Sequence, residues 1–498
     1  MQHVFEKSFC SLETMDTERK LSVQDDVSRT DQQSAILNDG EQIKSSRKAQ
    51  WWRVRPTVEP MVLLFMFSTT AVSSFVGALF TERVCRMKDT TGCPDDKRAE
   101  AVTLIMYKTI IEAVVPAFVA LFIGSWSDKF GRRPIFIWSF LGNTVAYAAW
   151  AVQSAVPDLQ PEWLLLPSVV ASFSGGMMNL MGVANIYIAD VAPVDDKAVR
   201  LGILDVSQYM GTMLGSGLSA PITAALQYYG VYTMAACLML ACLLYAVFLL
   251  PETVPPYTPP EDESCGCCKG IFRPQLVRDA LRTCLKKRPH NGRATIFIVI
   301  FVVISGMLSL MGESVPSYNL YNDILKWGPA DTQLYGFYNN GTTALGTLIG
   351  VLVFVRWLRL QDAWIAVITF GCKIVGTILY AIAPDWRFMY IGGAVSCFGG
   401  MVWVLARTML VRLVTMDEIG QVFALVMTLE AIAPLLGSLI YGQVYQATVS
   451  TLPGAFYFIS VGIFVVDLIL LLVASYLTRG AVREENEQRR QRALPPSA

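Results

Sequence analysis

Ionisable side chains stand inside long apolar runs of this 498-residue chain: Lys108, Glu112, Asp205, Glu313, Lys373, Arg407, Glu430 and Asp467. A charge at mid-bilayer costs on the order of 2.5–3.5 kcal/mol even on the gentlest scales, so each needs a partner or a task. Arg407 keeps its charge and presents a planar fork that matches a carboxylate or a phosphate. A desolvated carboxylate takes up a proton and releases it in the field of a cation. Glu430, Asp205 and Glu313 are therefore the candidates for proton handling. Together these types suit a site whose affinities for an anion and for a proton depend on each other. Tyr318 and Asn319, close to Glu313, add hydrogen-bonding groups for a solute. The two histidines, His3 and His290, lie outside the apolar runs, so a proton relay would use carboxylates.

Spacing suggests how the charges are held. Lys108 and Glu112 are four apart and share a helical face, as in an intrahelical pair. Lys373 and Asp467 fall at similar depth if their helices run antiparallel, which suggests a structural pair. Arg407 and Glu430 both fall in the inner half of their helices and form the better functional pair. The bland alternative is a static salt bridge. Asp205, followed by Gln208 and Tyr209, lies near a helix end and could instead lock an inner gate. No phosphate-cradling G-x-x-x-x-G-K-[ST] loop and no T-V-G-Y-G filter occurs, which excludes ATP-driven transport by this chain and a potassium channel. No assembled nucleophile–base or metal set argues for an enzyme. No metal site and no cofactor beyond a coupling proton is expected.

The elements that must position these groups follow from composition. The chain is 53% hydrophobic and 16% charged, with 40 basic and 40 acidic residues, and so belongs to the membrane class. Apolar segments long enough to cross about 30 Å of hydrocarbon lie near 58–80, 102–125, 134–156, 164–188, 201–226 and 231–250. Six more lie near 294–317, 333–355, 363–384, 387–411, 420–446 and 454–477. The expected organisation is a disordered cytoplasmic tail (1–56), a six-helix half (57–251), a cytoplasmic linker (252–293), a second six-helix half (294–478) and a cytoplasmic tail (479–498). Residues 273–288 read as a surface amphipathic helix. Basic residues crowd both tails, the linker and alternate loops, which puts both termini in the cytoplasm. Cys85 and Cys93 share the first outer loop and are candidates to pair. Cys265, Cys267 and Cys268 cluster on the expected inner side as a palmitoylation candidate. Asn340-Gly341-Thr342 is a glycosylation sequon inside a predicted span, hence read as unused. The polar first fifty residues lack the apolar core of a cleavable signal, so the first span itself would direct insertion.

The second and third spans are joined by Gly124-Ser125-Trp126-Ser127-Asp128-Lys129-Phe130-Gly131-Arg132-Arg133. This charged turn resembles the loop between spans two and three of major facilitator superfamily transporters. The resemblance implies an all-α fold of twelve membrane helices in two six-helix halves. It makes Gly124, Asp128, Gly131, Arg132 and Arg133 a conformational gate. Asp128 is free to sit at the positive N-terminal end of another helix.

Val58-Glu59-Pro60, Ala189-Asp190-Val191, Ile300-Phe301-Val302-Val303-Ile304 and Asp362-Ala363-Trp364-Ile365-Ala366 extend the resemblance to the solute carrier 46 family over about residues 55–477. That family looks like proton-driven importers of bulky anions such as folates, muropeptides or cyclic dinucleotides. By resemblance, Arg407 takes the family's span-ten arginine and Asp205 an acidic span-five position that bears on coupling. The folate branch's span-seven histidine is absent from Ser305-Gly306-Met307-Leu308, and its span-four aspartate from Ser174-Gly175-Gly176. Its outer disulfide joins the first and fourth outer loops; here Cys93 has no counterpart cysteine around Lys326-Trp327. These departures weaken a folate assignment and leave anion import intact.

The expected function is proton-coupled import of a bulky organic anion across a plasma or lysosomal membrane. Arg407, Glu313, Tyr318 and Asn319 would contact substrate, and Glu430, Asp205 and Glu313 would handle protons. The partners are then a small organic anion and the bilayer, with no nucleic acid polymer; oligomeric state stays open. The alternatives are a pH-independent uniporter or a transport-dead receptor or scaffold.

Overall fold

Apolar runs with no water to satisfy their backbone must close their hydrogen bonds internally, and helices do so. The computed structural model describes residues 58–85, 95–156, 159–193, 196–254, 278, 282–286, 291–414 and 418–478. Among them the regular structure is helical, with no strand. Span one is Glu59–Cys85, span two Asp95–Phe130 and span three Arg133–Ala155. Span four, Pro161–Val191, breaks at Gly175 and Gly176, whose φ angles of 104° and 61° glycine adopts without strain. Spans five and six form one element, Lys197–Phe248, interrupted at Gln227 with φ 55°.

Span seven is Gly292–Gly312 continued by Ser314–Asp323. Span eight, Pro329–Gly350, ends in a π-helical turn, Val351–Trp357. Span nine is Asp362–Ala381. Span ten is the bent pair Trp386–Val395 and Cys397–Leu413, with 52° between its parts. Span eleven is Ile419–Thr448 and span twelve Tyr457–Leu477.

Among the described residues nine helices are long and apolar enough to cross a membrane, or ten with the bent pair. That tally falls below the expected twelve at two places. Lys197–Phe248 counts once but holds two helices, spans five and six, joined across a kink at Gln227. Span eight carries Asn339, Asn340, Thr342 and Thr343, which dilute its apolar character. Large apolar side chains such as Phe118, Val152, Phe248, Trp364 and Ile469 stand exposed on the outer helix faces. A surface of that kind fits lipid rather than water.

The two halves meet along spans five and eight. Gly202 lies against Val351, Met213 against Gly341, Ser216 against Gly336 and Gly217 against Phe337. Small residues here let the helices approach closely. A second seam joins span four to span eleven, where Gly182 meets Met427. The ends near residues 128–133, 190–193, 196–200, 252, 356, 412–414 and 418–420 gather at one side of the bundle, called the loop face below.

Some expectations lie outside the described residues: the tails 1–56 and 479–498, Cys93, the cluster Cys265, Cys267 and Cys268, and most of 273–288. Cys85 is disulfide-bonded, and its partner lies outside the described residues. Asn340 donates its amide to Gly336 O at 2.8 Å inside span eight, so the sequon is part of a helix.

Candidate functional site

At the loop face, the turn after span two is folded around one arginine. Arg132 is 2% exposed and reaches Asp128 at 2.6 Å and Asp190 of span four at 3.1 Å, and it also donates to Ser127 Oγ. Gly131 has φ 105°, a left-handed conformation that a Cβ would strain. A Cβ there would also stand 2.4 Å from the Glu252 carboxylate. Glu252 accepts from the backbone N–H of Arg132 at 2.8 Å and of Arg133 at 3.1 Å. It thus caps the start of span three with a negative charge, where free N–H groups and the helix dipole favour one. Arg133 donates to the carbonyls of Ala246 (3.0 Å) and Val247 at the end of span six.

Asp128 faces the other half. Its carboxylate lies against Gly420, in the first turn of span eleven. The expected placement at the positive end of another helix is what the fold shows. Arg356 pairs with Asp196 at 3.0 Å, a second link between the halves at this face. Glu59 pairs with Arg200 at 2.9 Å within the first half, in keeping with a structural role.

Deeper in the same seam, Arg407 of span ten donates from Nη1 to Asp205 Oδ1 of span five at 2.7 Å. Their side chains are 14% and 4% exposed. The pair lies about two turns from the loop-face ends of both helices, at 1.5 Å rise per residue. The expected partner, Glu430, is buried and interacts electrostatically with both Arg407 and Asp205, but no hydrogen bond joins it to Arg407. The fork is taken by the carboxylate of the opposite half, because span five presents Asp205 directly across the seam. Asp205 Oδ2 is buried without a hydrogen-bond partner. Trp403, one turn before Arg407, holds its ring 6.0 Å from the guanidinium. Tyr209, one turn after Asp205, lays its ring against Gly400.

Glu313 stands elsewhere. It sits at the junction of the two parts of span seven, beside Ser460 and within electrostatic reach of Lys373. Tyr321, Tyr380, Tyr441 and Tyr457 also feel its charge. Arg407, Asp205 and Glu430 are not among these neighbours, so the fold does not bring Glu313 to Arg407. Tyr318 is exposed and Asn319 half-buried on the same short helix. The expected Lys373–Asp467 pair does not form. Asp467 accepts from Ser305 Oγ at 2.8 Å, while Lys373 lies 5.6 Å from the Phe464 ring. Equal depth on antiparallel helices does not put two side chains on facing sides. Lys108 and Glu112 do pair, at 2.6 Å.

Sequence reasoning missed Glu252 and Gly420. Pro251-Glu252-Thr253 reads only as a helix stop, yet Glu252 caps span three and Thr253 donates to Asp190 at 3.2 Å. The signal available was a carboxylate four residues past the end of span six. Among the described residues no group of three or more His, Cys, Asp or Glu could hold a metal ion.

Comparison with known proteins gives the family. The chain is 26% identical over 450 residues to the "Probable peptidoglycan muropeptide transporter SLC46" of Drosophila melanogaster, covering 83% of this chain and 84% of that one. It is 24% identical over 373 residues to the "Proton-coupled folate transporter" of Bos taurus, covering 74% and 77%. It is 25% identical over 368 residues to the "Lysosomal proton-coupled steroid conjugate and bile acid symporter SLC46A3" of Mus musculus, covering 72% and 77%. Among solved structures, the human organic anion transporter MFSD10 (TETRAN) has a similar fold, with a TM-score of 0.64 at 17% identity over 86% of this chain and 99% of that one. The proton:xylose symporter XylE gives 0.59 at 15% identity, over 82% and 92%. The sequence model of the Major Facilitator Superfamily matches residues 60–372. With its helical bundle, its membrane-facing surface and that match, the chain belongs to the major facilitator superfamily and is a multi-pass membrane transporter.

Proposed function

We propose that this transporter couples inward movement of protons to import of a bulky organic anion, with Arg407 and Asp205 as the coupled site. The observation that carries this reading is one buried guanidinium held across the seam by Asp205, with Glu430 in the same field. With both carboxylates ionised the three groups carry a net charge of minus one. An anion that takes the Arg407 fork displaces Asp205, and a proton on that carboxylate restores the balance. The same displacement breaks a bond that holds the halves together at the loop face. Anion binding, protonation and opening are thereby parts of one exchange.

The relatives support the class of cargo: their names specify muropeptide, folate, and steroid conjugate and bile acid transport. The loop face is cytoplasmic in this reading, both termini lie inside, and the protein serves a plasma or lysosomal membrane. The gate is the set Gly124, Asp128, Gly131, Arg132 and Arg133. Glu313, with Tyr318 and Asn319, is kept as a secondary proton or solute candidate within the second half.

The test is uptake into proteoliposomes holding the full chain, with and without an inward pH gradient, for a folate, a muropeptide and a cyclic dinucleotide. Uptake of at least one that rises with the gradient is expected. Uptake of all three at rates indifferent to the gradient would favour a uniporter.

A further inference from the structure

The far end of the seam between spans five and eight carries a cavity of about 250 Å³ that the mechanism above does not use. Its walls are Ser74 and Phe75 of span one, Ser219, Ala220, Thr223 and Ala224 of span five, and Gln333 of span eight. Gln333 belongs to the second half and the rest to the first. Ser219 is fourteen residues from Asp205, which places the cavity about 21 Å from the Arg407 pair along span five, at 1.5 Å per residue. No charged residue lines it.

The hydrogen bonds of the lining decide what it offers. A hydroxyl has one proton to donate and two lone pairs to accept with. Ser74 Oγ donates to Thr70 O at 3.0 Å, and Thr223 Oγ1 donates to Ser219 O at 2.7 Å. Ser219 Oγ spends its single proton between Ser216 O, at 3.0 Å, and Gln333 Oε1. Each hydroxyl proton is turned back onto protein, so the free valences are lone pairs. The lining is a ring of acceptors, with the Gln333 amide N–H₂ as its donor.

We propose that this cavity is an outer subsite that takes the uncharged, donor-bearing part of the solute, its N–H or O–H groups, and rejects its anionic end. A carboxylate or phosphate brings only more acceptors to a lining whose sole donor group is the Gln333 amide. An N–H or neutral O–H completes the free lone pairs, and Phe75 supplies one apolar wall. A solute held this way lies with its anionic end pointing along the seam toward Arg407. Its donors also compete for Gln333 Oε1, the acceptor that ties the halves together at this end. Binding there loosens the outer closure while the Asp205–Arg407 bond still holds the other. The orientation rests on the anion site at Arg407; the acceptor character of the cavity does not.

Thiol labelling of the full chain in proteoliposomes tests this without a known substrate. Thr223→Cys is placed in the cavity, and Gln160→Cys, exposed in the turn after span three, is the reference. The probes are the cationic trimethylammonium-ethyl and the anionic sulfonatoethyl methanethiosulfonates. Relative to the reference, the cationic reagent should modify Thr223→Cys at least about fivefold faster than the anionic one, the scale of one net hydrogen bond or dipole contact. Should Thr223→Cys fail to fold, Ser74→Cys serves with the same ratio. In Gln333→Glu an added carboxylate should widen the ratio, and in Gln333→Lys it should invert. Equal relative rates for both reagents, or a faster anionic one in the unaltered lining, overturn the subsite. A normal labelling ratio with pH-indifferent uptake sinks the coupling at Arg407 and leaves the cavity standing.

Discussion

Asp205 and Arg407 are 202 residues apart and come from opposite halves, yet their carboxylate and guanidinium meet at 2.7 Å in a nearly dry seam. Removing one member of a buried pair leaves the other uncompensated, at roughly 3–5 kcal/mol. Arg407→Ala therefore strands two carboxylates. Uptake should fall at least about a hundredfold, the equivalent of some 3 kcal/mol, with surface expression retained. Arg407→Lys keeps the charge and loses the fork, so it should retain measurable uptake with a raised KM. Normal uptake by Arg407→Ala, measured beside surface biotinylation, would remove Arg407 from the mechanism.

Glu430 differs from Asp205 in one testable respect: it shares the field of Arg407 without bonding to it. Glu430→Gln breaks no hydrogen bond to the arginine, so thermal stability in detergent should stay near the parent's. If Glu430 carries the coupled proton, uptake by this variant loses its rise at low external pH. Asp205→Asn should flatten the same profile and in addition weaken the closure of the loop face. A pH profile of the parent shape in both variants would move proton handling elsewhere, with Glu313 next in line.

The relation between these residues marks where sequence reading stops. Apolar length locates the spans, and the price of a buried charge singles out Arg407, Asp205 and Glu430. Neither tells how each helix is rotated about its axis. Hence Arg407 was matched with Glu430 when Asp205 faces it, and Lys373 with Asp467 when their side chains diverge. The turn at 124–133 was legible because its geometry is local: Gly131 needs a positive φ, and Asp128 lies one helical turn from Arg132. Its partners Glu252 and Gly420 come from distant segments and carry no local signature. The tally of apolar helices falls short of twelve at span eight, which is polar, and at Gln227, where two helices are joined across a kink.

Asp128 lies against the start of span eleven, where the positive end of the helix favours a negative charge by about 0.3–1 kcal/mol. A Cβ on Gly420 would stand 2.2 Å from Asp128 Oδ1, and that carboxylate is already fixed by Arg132. Gly420→Ala should push the halves apart at the loop face, and Asp128→Asn should loosen them more mildly. Spin labels at Leu249 and Trp357, both exposed and on opposite halves, report the change. A longer-distance population should grow in both variants, more in Gly420→Ala. Unchanged distances in Gly420→Ala would mean that the contact does not govern closure.

Gly131 and Glu252 make one joint inside the first half. Gly131→Ala forces a side chain into a left-handed conformation, at roughly 1–2 kcal/mol, and drives its Cβ into the Glu252 carboxylate. Glu252→Ala removes the cap from Arg132 N and Arg133 N, at about 1 kcal/mol. Each should lower the melting temperature of the purified protein. In the double variant the collision with the carboxylate is gone, so the combined loss should be smaller than the sum of the two. Strict additivity in that cycle would show that the two residues do not act on each other.

Asp467 is the control for the argument from buried charge. It is 1% exposed, yet its partner is the Ser305 hydroxyl and no cation depends on it. Asp467→Asn keeps an acceptor for Ser305 and strands no arginine or lysine. Uptake should stay within about twofold of the parent, and its pH profile should keep its shape, since an isosteric change at a site with no ion partner removes at most one modest hydrogen bond. The contrast with Asp205→Asn is the informative measurement, because both positions are buried acids on membrane helices and differ in what faces them. If Asp467→Asn flattened the pH profile as Asp205→Asn is expected to, burial alone would be setting the coupling. The pairing across the seam would then lose its special place.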